Sequence, residues 1–170
     1  MGGKRAYHSR FDPGKLLLEG DPAPVAEETA VPVLQSPFRE SGGQFSPDGK
    51  WIAYESTESG RFDVYIRAFP SSAGKWQISN RGGFIPRWRA DGKELFYVSQ
   101  DFKMIAVTIR ASAASVEADA PRELFPYPVA GFNSPYDVAA DSQRFLLTER
   151  SDAQGSASLT VVVNWQAGLK

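Results

Sequence analysis

Phe45-Ser46-Pro47-Asp48-Gly49-Lys50-Trp51-Ile52-Ala53-Tyr54 is the stretch whose reading decides the fold. It returns as Trp88-Arg89-Ala90-Asp91-Gly92-Lys93-Glu94-Leu95-Phe96-Tyr97, and more faintly as Val138-Ala139-Ala140-Asp141-Ser142-Gln143-Arg144-Phe145-Leu146-Leu147. In each copy an aromatic or β-branched residue closes one strand, a polar turn follows, and an apolar run opens the next strand. Asp tolerates the left-handed backbone region and bonds to its own backbone, while Gly adopts positive φ without steric cost. Asp-Gly between apolar runs is therefore a hairpin signal. The three aspartates read as turn residues rather than as catalytic acids or metal ligands.

Asp48 and Asp91 are 43 residues apart, and Asp91 and Asp141 are 50 apart. Repeats of about 40–50 residues, each rich in strand formers, mark propeller blades or related arrays. The first unit reads as strands from Gly43 to Ser46, Lys50 to Ser56, Phe62 to Phe69 and Lys75 to Ser79. Along its second strand Trp51, Ala53 and Glu55 fall on one face, and Ile52, Tyr54 and Ser56 on the other. The next unit has strands from Gly83 to Arg89, Lys93 to Ser99, Lys103 to Ile109 and Arg122 to Phe125. Its alanine- and serine-rich connection from Arg110 to Pro121 reads as a long loop. A third unit runs from Asn133 to Ala139, Gln143 to Glu149 and Leu159 to Trp165, without a fourth strand before Lys170.

The expected fold class is all-β: antiparallel four-stranded blades of a partial β-propeller, about three in number, spanning residues 42–79, 83–125 and 133–165. Residues 1–30 are less regular. Lys4 to Phe11 alternates weakly ahead of Asp12-Pro13-Gly14, and the segment to Val25 echoes residues 104–125 at an offset of 99 or 100. Residues 4–26 thus read as the two outer strands of a blade lacking its inner half. Val31-Pro32-Val33-Leu34 competes with the region near Val25 for one outer-strand position. Three blades are too few to close a ring, since propellers use four to eight. Such an arc exposes an apolar face at its ends, so a cover is expected: a second copy completing a ring, more of a longer protein, or the N-terminal segment.

Composition fits a folded domain. Hydrophobic residues make up 42% and charged residues 23% of 170 residues, with 15 glycines and 12 prolines to punctuate short strands. The 19 basic and 20 acidic residues leave a net charge of −1, which gives no global field for nucleic acid or anionic membrane. Without cysteine there is no disulfide, thiolate metal site or cysteine nucleophile. The longest early apolar run, Leu16-Leu17-Leu18, is too short for a signal-peptide core or a membrane span.

Chemistry-bearing residues are sparse. Ser-His catalysis needs a base, and the one histidine, His8, lies in the irregular front segment. Glu117-Ala118-Asp119 and Asp152 lack the alternating oxygen ligands of a calcium loop, and Glu27-Glu28 reads as solvated charge rather than a catalytic pair. No catalytic residue, metal site or cofactor is expected. Trp51, Trp88, Phe96, Tyr54 and Tyr97 read as recurring packing positions between sheets, and Trp76 and Trp165 as surface aromatics. The candidate ligand-binding residues are Arg61, Arg81, Arg87 and Arg89, because guanidinium groups suit carboxylates and phosphates. A cluster of them at a channel mouth would bind an acidic peptide or small anion. Pairing with turn carboxylates such as Asp48 or Asp91 is the competing reading.

Gln44-Phe45-Ser46-Pro47-Asp48-Gly49-Lys50-Trp51-Ile52-Ala53-Tyr54 resembles the TolB-type, WD-repeat-like propeller repeat. Gln35-Ser36-Pro37-Phe38-Arg39-Glu40, Glu58-Ser59-Gly60-Arg61, Gly74-Lys75-Trp76-Gln77-Ile78-Ser79 and Pro86-Arg87-Trp88-Arg89 are similar to the C-terminal propeller of bacterial serine/threonine protein kinases. The closing Val161-Val162-Val163-Asn164-Trp165-Gln166-Ala167-Gly168-Leu169-Lys170 resembles that family's chain end. The likeness runs over residues 31–170 and covers the last half of such a propeller. It implies a kinase-associated sensor or docking module, periplasmic or otherwise extracytoplasmic. The chain itself lacks the glycine-rich loop, His-Arg-Asp and Asp-Phe-Gly stretches of a kinase. The expectation is a non-enzymatic module binding a protein or peptide, without nucleic acid or a membrane span; the rival is a fragment of a propeller-containing hydrolase or peptidase.

Overall fold

The computed structural model describes residues 15–17, 32–71, 74–112, 115–128, 136–150 and 157–163. All regular structure among them is β. A first sheet takes β3 (Glu40–Phe45), β4 (Trp51–Ser56), β5 (Asp63–Ala68) and β6 (Lys75–Gln77) in chain order, each antiparallel to the last; β1 (Lys15–Leu17) and β2 (Pro32–Gln35) form a separate antiparallel pair. A second sheet holds β7 (Gly83–Trp88), β8 (Glu94–Ser99) and β9 (Lys103–Ala111), with β10 (Val116–Ala118) and β11 (Arg122–Pro126) both on β9. A third joins β12 (Asp137–Val138), β13 (Arg144–Arg150) and β14 (Ala157–Val163). The last three sheets are successive blades of a partial β-propeller.

The turn that repeats in the sequence repeats in space. In the first blade Gly49 N–H donates to Ser46 O at 2.9 Å and Lys50 N–H to Asp48 Oδ1 at 3.1 Å. The second blade matches it with Gly92 N–H to Arg89 O at 2.9 Å and Lys93 N–H to Asp91 Oδ1 at 3.0 Å. In the third, Ser142 N–H reaches Ala139 O at 2.7 Å and Gln143 N–H reaches Asp141 Oδ1 at 3.0 Å. Gly49, Gly92 and Ser142 all take a left-handed φ, of 69°, 71° and 57°. Asp48, Asp91 and Asp141 therefore hold equivalent corners.

Alternation along the strands then assigns each blade two apolar faces. Ile52 and Tyr54 face Leu34 of β2, together with Tyr65. Trp51, Ala53, Val64 and Ile66 point the other way and pack on Trp88, Leu95, Tyr97 and Val107 of the second blade. That blade's far face, through Phe96, Val98, Met104 and Ala106, meets Tyr136, Phe145 and Leu147 of the third. Each of the larger aliphatic or phenyl side chains contributes about 1.5–3 kcal/mol on burial, so cohesion comes from layers between sheets rather than from one core.

Three local readings need correction. The first inner strand starts at Glu40 instead of Gly43, because Gly42, at φ 64°, makes a bulge beyond which pairing resumes as Ser41↔Glu55 and Glu40↔Ser56. The connection after Ile109 is a hairpin, with β9 extended to Ala111 and paired with β10, and Ser112 N–H donating to Ser115 O at 2.8 Å across its tip. The outer strand of the second blade is thus made of β10 and β11 in series on one edge of β9. At the front, β1 falls on Lys15–Leu17, outside the alternating segment read as a strand, and its partner β2 lies on the run near Val33. Lys4 to Gly14 and the region near Val25 lie outside the described residues.

Candidate functional site

The four arginines are spread over two blades: Arg61 between β4 and β5, Arg81 between β6 and β7, Arg87 on β7 and Arg89 just beyond it. Arg61 donates through Nη2 to Asn80 O at 2.9 Å, and its Nε is 3.3 Å from the buried carboxylate of Asp63. Asp63 in turn accepts from Ser59, Ser79 and the N–H of Gly82, which ties the loop carrying the exposed Arg81 to the first blade. Arg89 sits beyond the other end of β7, about 20 Å along a six-residue strand from Gly83. There it pairs with Asp91 at 3.4 Å and with Glu94 at 2.9 Å. Arg87 lies between, its guanidinium carbon 5.8 Å from the ring centroid of Tyr136 on the third blade.

Position 87 in the repeat corresponds to Gln44, since Gln44 pairs with Ala53 as Arg87 pairs with Phe96. Both residues reach across to the following blade. Gln44 Oε1 accepts the backbone N–H of Trp88 at 2.9 Å, and its carbonyl accepts Trp88 Nε1–H at 3.3 Å. A second joint pairs the bulges of the two inner strands. Glu55 Oε1 accepts from Ser41 Oγ at 2.7 Å while Oε2 accepts from the N–H of Ile85 at 3.2 Å. Ile85 has φ 54°, a conformation that β-branched residues rarely adopt.

A cleft of about 1050 Å³ opens between the first two blades on the side of the Asp-Gly turns. Trp51, Trp88, Ala68 and Ile109 line it, with Asp48, Lys50, Asp91, Lys93 and Arg110 at the rim. The hydroxyl of Ser46 holds the Asp48 carboxyl below its usual range. The rim charges are mixed in sign.

Among the packing aromatics, Tyr54 and Tyr97 are true equivalents, while Trp51 corresponds to Glu94 and Trp88 to Phe45. Trp76, expected at the surface, is half-buried and packs edge-on against Trp51 at 5.5 Å. Sequence pattern missed it because β6 is only three residues long. His8, Glu27, Glu28, Asp152 and Trp165 lie outside the described residues. Glu117 and Asp119 pair with Arg110. Among the described residues there is no group of three His, Cys, Asp or Glu placed to hold a metal, and no helix long and apolar enough to cross a membrane.

Among the described residues, the far face of the third blade is exposed. Leu159, Val161 and Val163 are 74%, 55% and 53% exposed, and Leu146 is exposed beside them. Leu146 pairs with Val161, and Thr148 with Leu159. By position in the repeat, Leu146 corresponds to Ala53 and Phe96, both buried beneath the next blade. Sequence reasoning reached this surface through the blade count.

No protein-family model and no curated protein sequence matches the chain. Solved structures do. A protein assigned as a 6-phosphogluconolactonase, from Bacteroides uniformis, aligns at 16% identity and a TM-score of 0.50, over 86% of this chain and 47% of that one. An oligogalacturonate lyase from Vibrio parahaemolyticus aligns at 14% identity and 0.47, over 61% and 27%. TolB from Acinetobacter baumannii aligns at 16% and 0.42, over 80% and 44%. The chain spans less than half the length of each. At this identity the likeness speaks to fold alone.

Proposed function

We propose that this chain is a non-catalytic interaction module, an arc of propeller blades whose open end docks a protein. The observation that carries the reading is the bare apolar face of Leu146, Leu159, Val161 and Val163. Folded monomers rarely leave a contiguous apolar sheet face in water. A second copy completing a ring is the occupant the reading commits to. An acidic peptide suits the exposed Arg81 at the loop end; Arg61, Arg87 and Arg89 already face Asp63, Tyr136, and Asp91 with Glu94, respectively. The resemblance to kinase-attached propellers supports a sensor or docking role outside the cytoplasm.

Light scattering across a concentration series tests the docking face. A dimer that Val161→Asp converts to monomer is the expected result, and a monomer at every concentration overturns self-association. Incubation with peptide, ester and glycoside substrates tests the non-catalytic reading. Turnover abolished by a point change within residues 31–170 would reverse it.

A further inference from the structure

The first blade carries a buried carboxylate, Glu40, and a half-buried guanidinium, Arg67, that do not pair with one another. Glu40 is 6% exposed; its Oε1 accepts from Ser36 Oγ at 2.6 Å and Ser56 Oγ at 3.1 Å, but its buried Oε2 has no partner. Arg67 has a buried Nε, also without a partner. Both line one cleft of about 240 Å³ between β2 and the first blade, with Tyr54 between them and Lys75 and Glu58, themselves an ion pair, alongside. Glu40 and Arg67 make no hydrogen bond or ion pair with one another, although a charge left alone under a sheet is costly.

Blade architecture does not require these charges. Glu40 pairs with Ser56 as Gly83 pairs with Ser99, and Arg67 pairs with Ile52 as Val107 pairs with Leu95. The second blade therefore places glycine and valine where the first places a carboxylate and a guanidinium. Arg67 also stands directly across the strands from Lys75, a like-charge pair that disfavours the sheet; Glu58 answers Lys75 and leaves the Arg67 Nε unpartnered. Burial pushes the Glu40 carboxyl up, against the pull of the Ser36 and Ser56 hydroxyls.

We propose that this cleft binds a small zwitterion of the α-amino acid class, Glu40 taking the ammonium group and Arg67 with Lys75 taking the carboxylate. The two orphan atoms then acquire the donor and the acceptor that they lack. The assignment is independent of the docking role of the third blade, on the far side of the arc.

The test is calorimetric titration and thermal shift of the 170-residue chain with a panel of free L-amino acids at neutral pH. Acetate and methylammonium serve as half-ligands. The expected result is saturable binding of at least one amino acid, with each half-ligand at least tenfold weaker. Glu40→Gln and Arg67→Gln should each weaken that binding tenfold or more, while circular dichroism reports an unchanged fold. Arg67→Lys, which keeps the charge, provides the second variant should Arg67→Gln not fold, and is expected to bind more weakly than the parent. No saturable response to any amino acid, a cleft filled by water alone, overturns the proposal. So does acetate binding as tightly as the zwitterion, or affinity unmoved by every variant.

Discussion

Glu55 on the first blade accepts a hydrogen bond from the backbone N–H of Ile85 on the second, at 3.2 Å. The other oxygen of the same carboxylate holds Ser41 at 2.7 Å, so one side chain joins the bulges of two inner strands. Removing it leaves the N–H at a strained residue without its acceptor. Glu55→Ala should cost about 1–3 kcal/mol, read as a lower urea midpoint, and Glu55→Gln less. An unchanged midpoint for the alanine variant would show that the joint contributes nothing.

The repeated corners offer a matched pair of substitutions. A Cβ at Gly49 would meet nothing within 4 Å, so Gly49→Ala reports backbone strain alone. It should destabilise by about 1–2 kcal/mol. Ser142 already bears that strain at φ 57°, and Ser142→Gly should raise stability by up to about 1 kcal/mol. Thermal melts of the two variants should move in opposite directions.

Acid dependence distinguishes Glu40 from the turn aspartates. The Glu40 carboxyl titrates above its ordinary range, chiefly because it is buried. Between the ordinary and the raised value the native state holds more protons than the unfolded chain, so stability falls as pH rises through that window. Glu40→Gln removes the penalty and should be the more stable protein at neutral pH, with the difference shrinking as pH falls toward the ordinary glutamate range. Asp48 and Asp141 have the opposite sign. Their carboxyls are held low by the Ser46 hydroxyl and by the N–H of Gln143, so their support is present above the usual aspartate range and is lost on acidification. A Glu40→Gln protein less stable than the parent at neutral pH would contradict the account.

Substituting the bare face separates packing from docking. Val161 is more than half exposed, so Val161→Asp should leave the melting temperature within a few degrees while abolishing association. A large loss of stability in the monomer would place Val161 in the core instead.

Asp-Gly corners and period-two alternation made the blades legible, because both are local: the turn needs four residues, and a strand's faces follow from parity. The arginines were legible only as a class. Arg89 finds Asp91 two residues away, but the stacking of Arg87 on Tyr136 depends on the placement of the third blade. The Gly42 and Ile85 bulges carried opposite signals, since Gly-Gly reads as a strand end and isoleucine as strand interior. Both proved to be sites where a ladder gains one residue. The hairpin beyond Ile109 was hidden by small residues that are indifferent to strand or loop. Glu40 and Arg67 were invisible, since they are 27 residues apart and line one cleft only because β3 and β5 flank β4.

The two ends of the arc are unlike. β2 lays Leu34 over Ile52 and Tyr54 at one end, while Leu159 and Val161 meet solvent at the other. A body of this kind has polarity: copies that met through unlike ends would join head-to-tail rather than through matching patches. Such contacts either shut into a closed circle or propagate into a fibre, depending on the rotation each copy imposes on the next. In such an assembly, the curvature contributed by every blade interface would decide between a closed ring and an endless one.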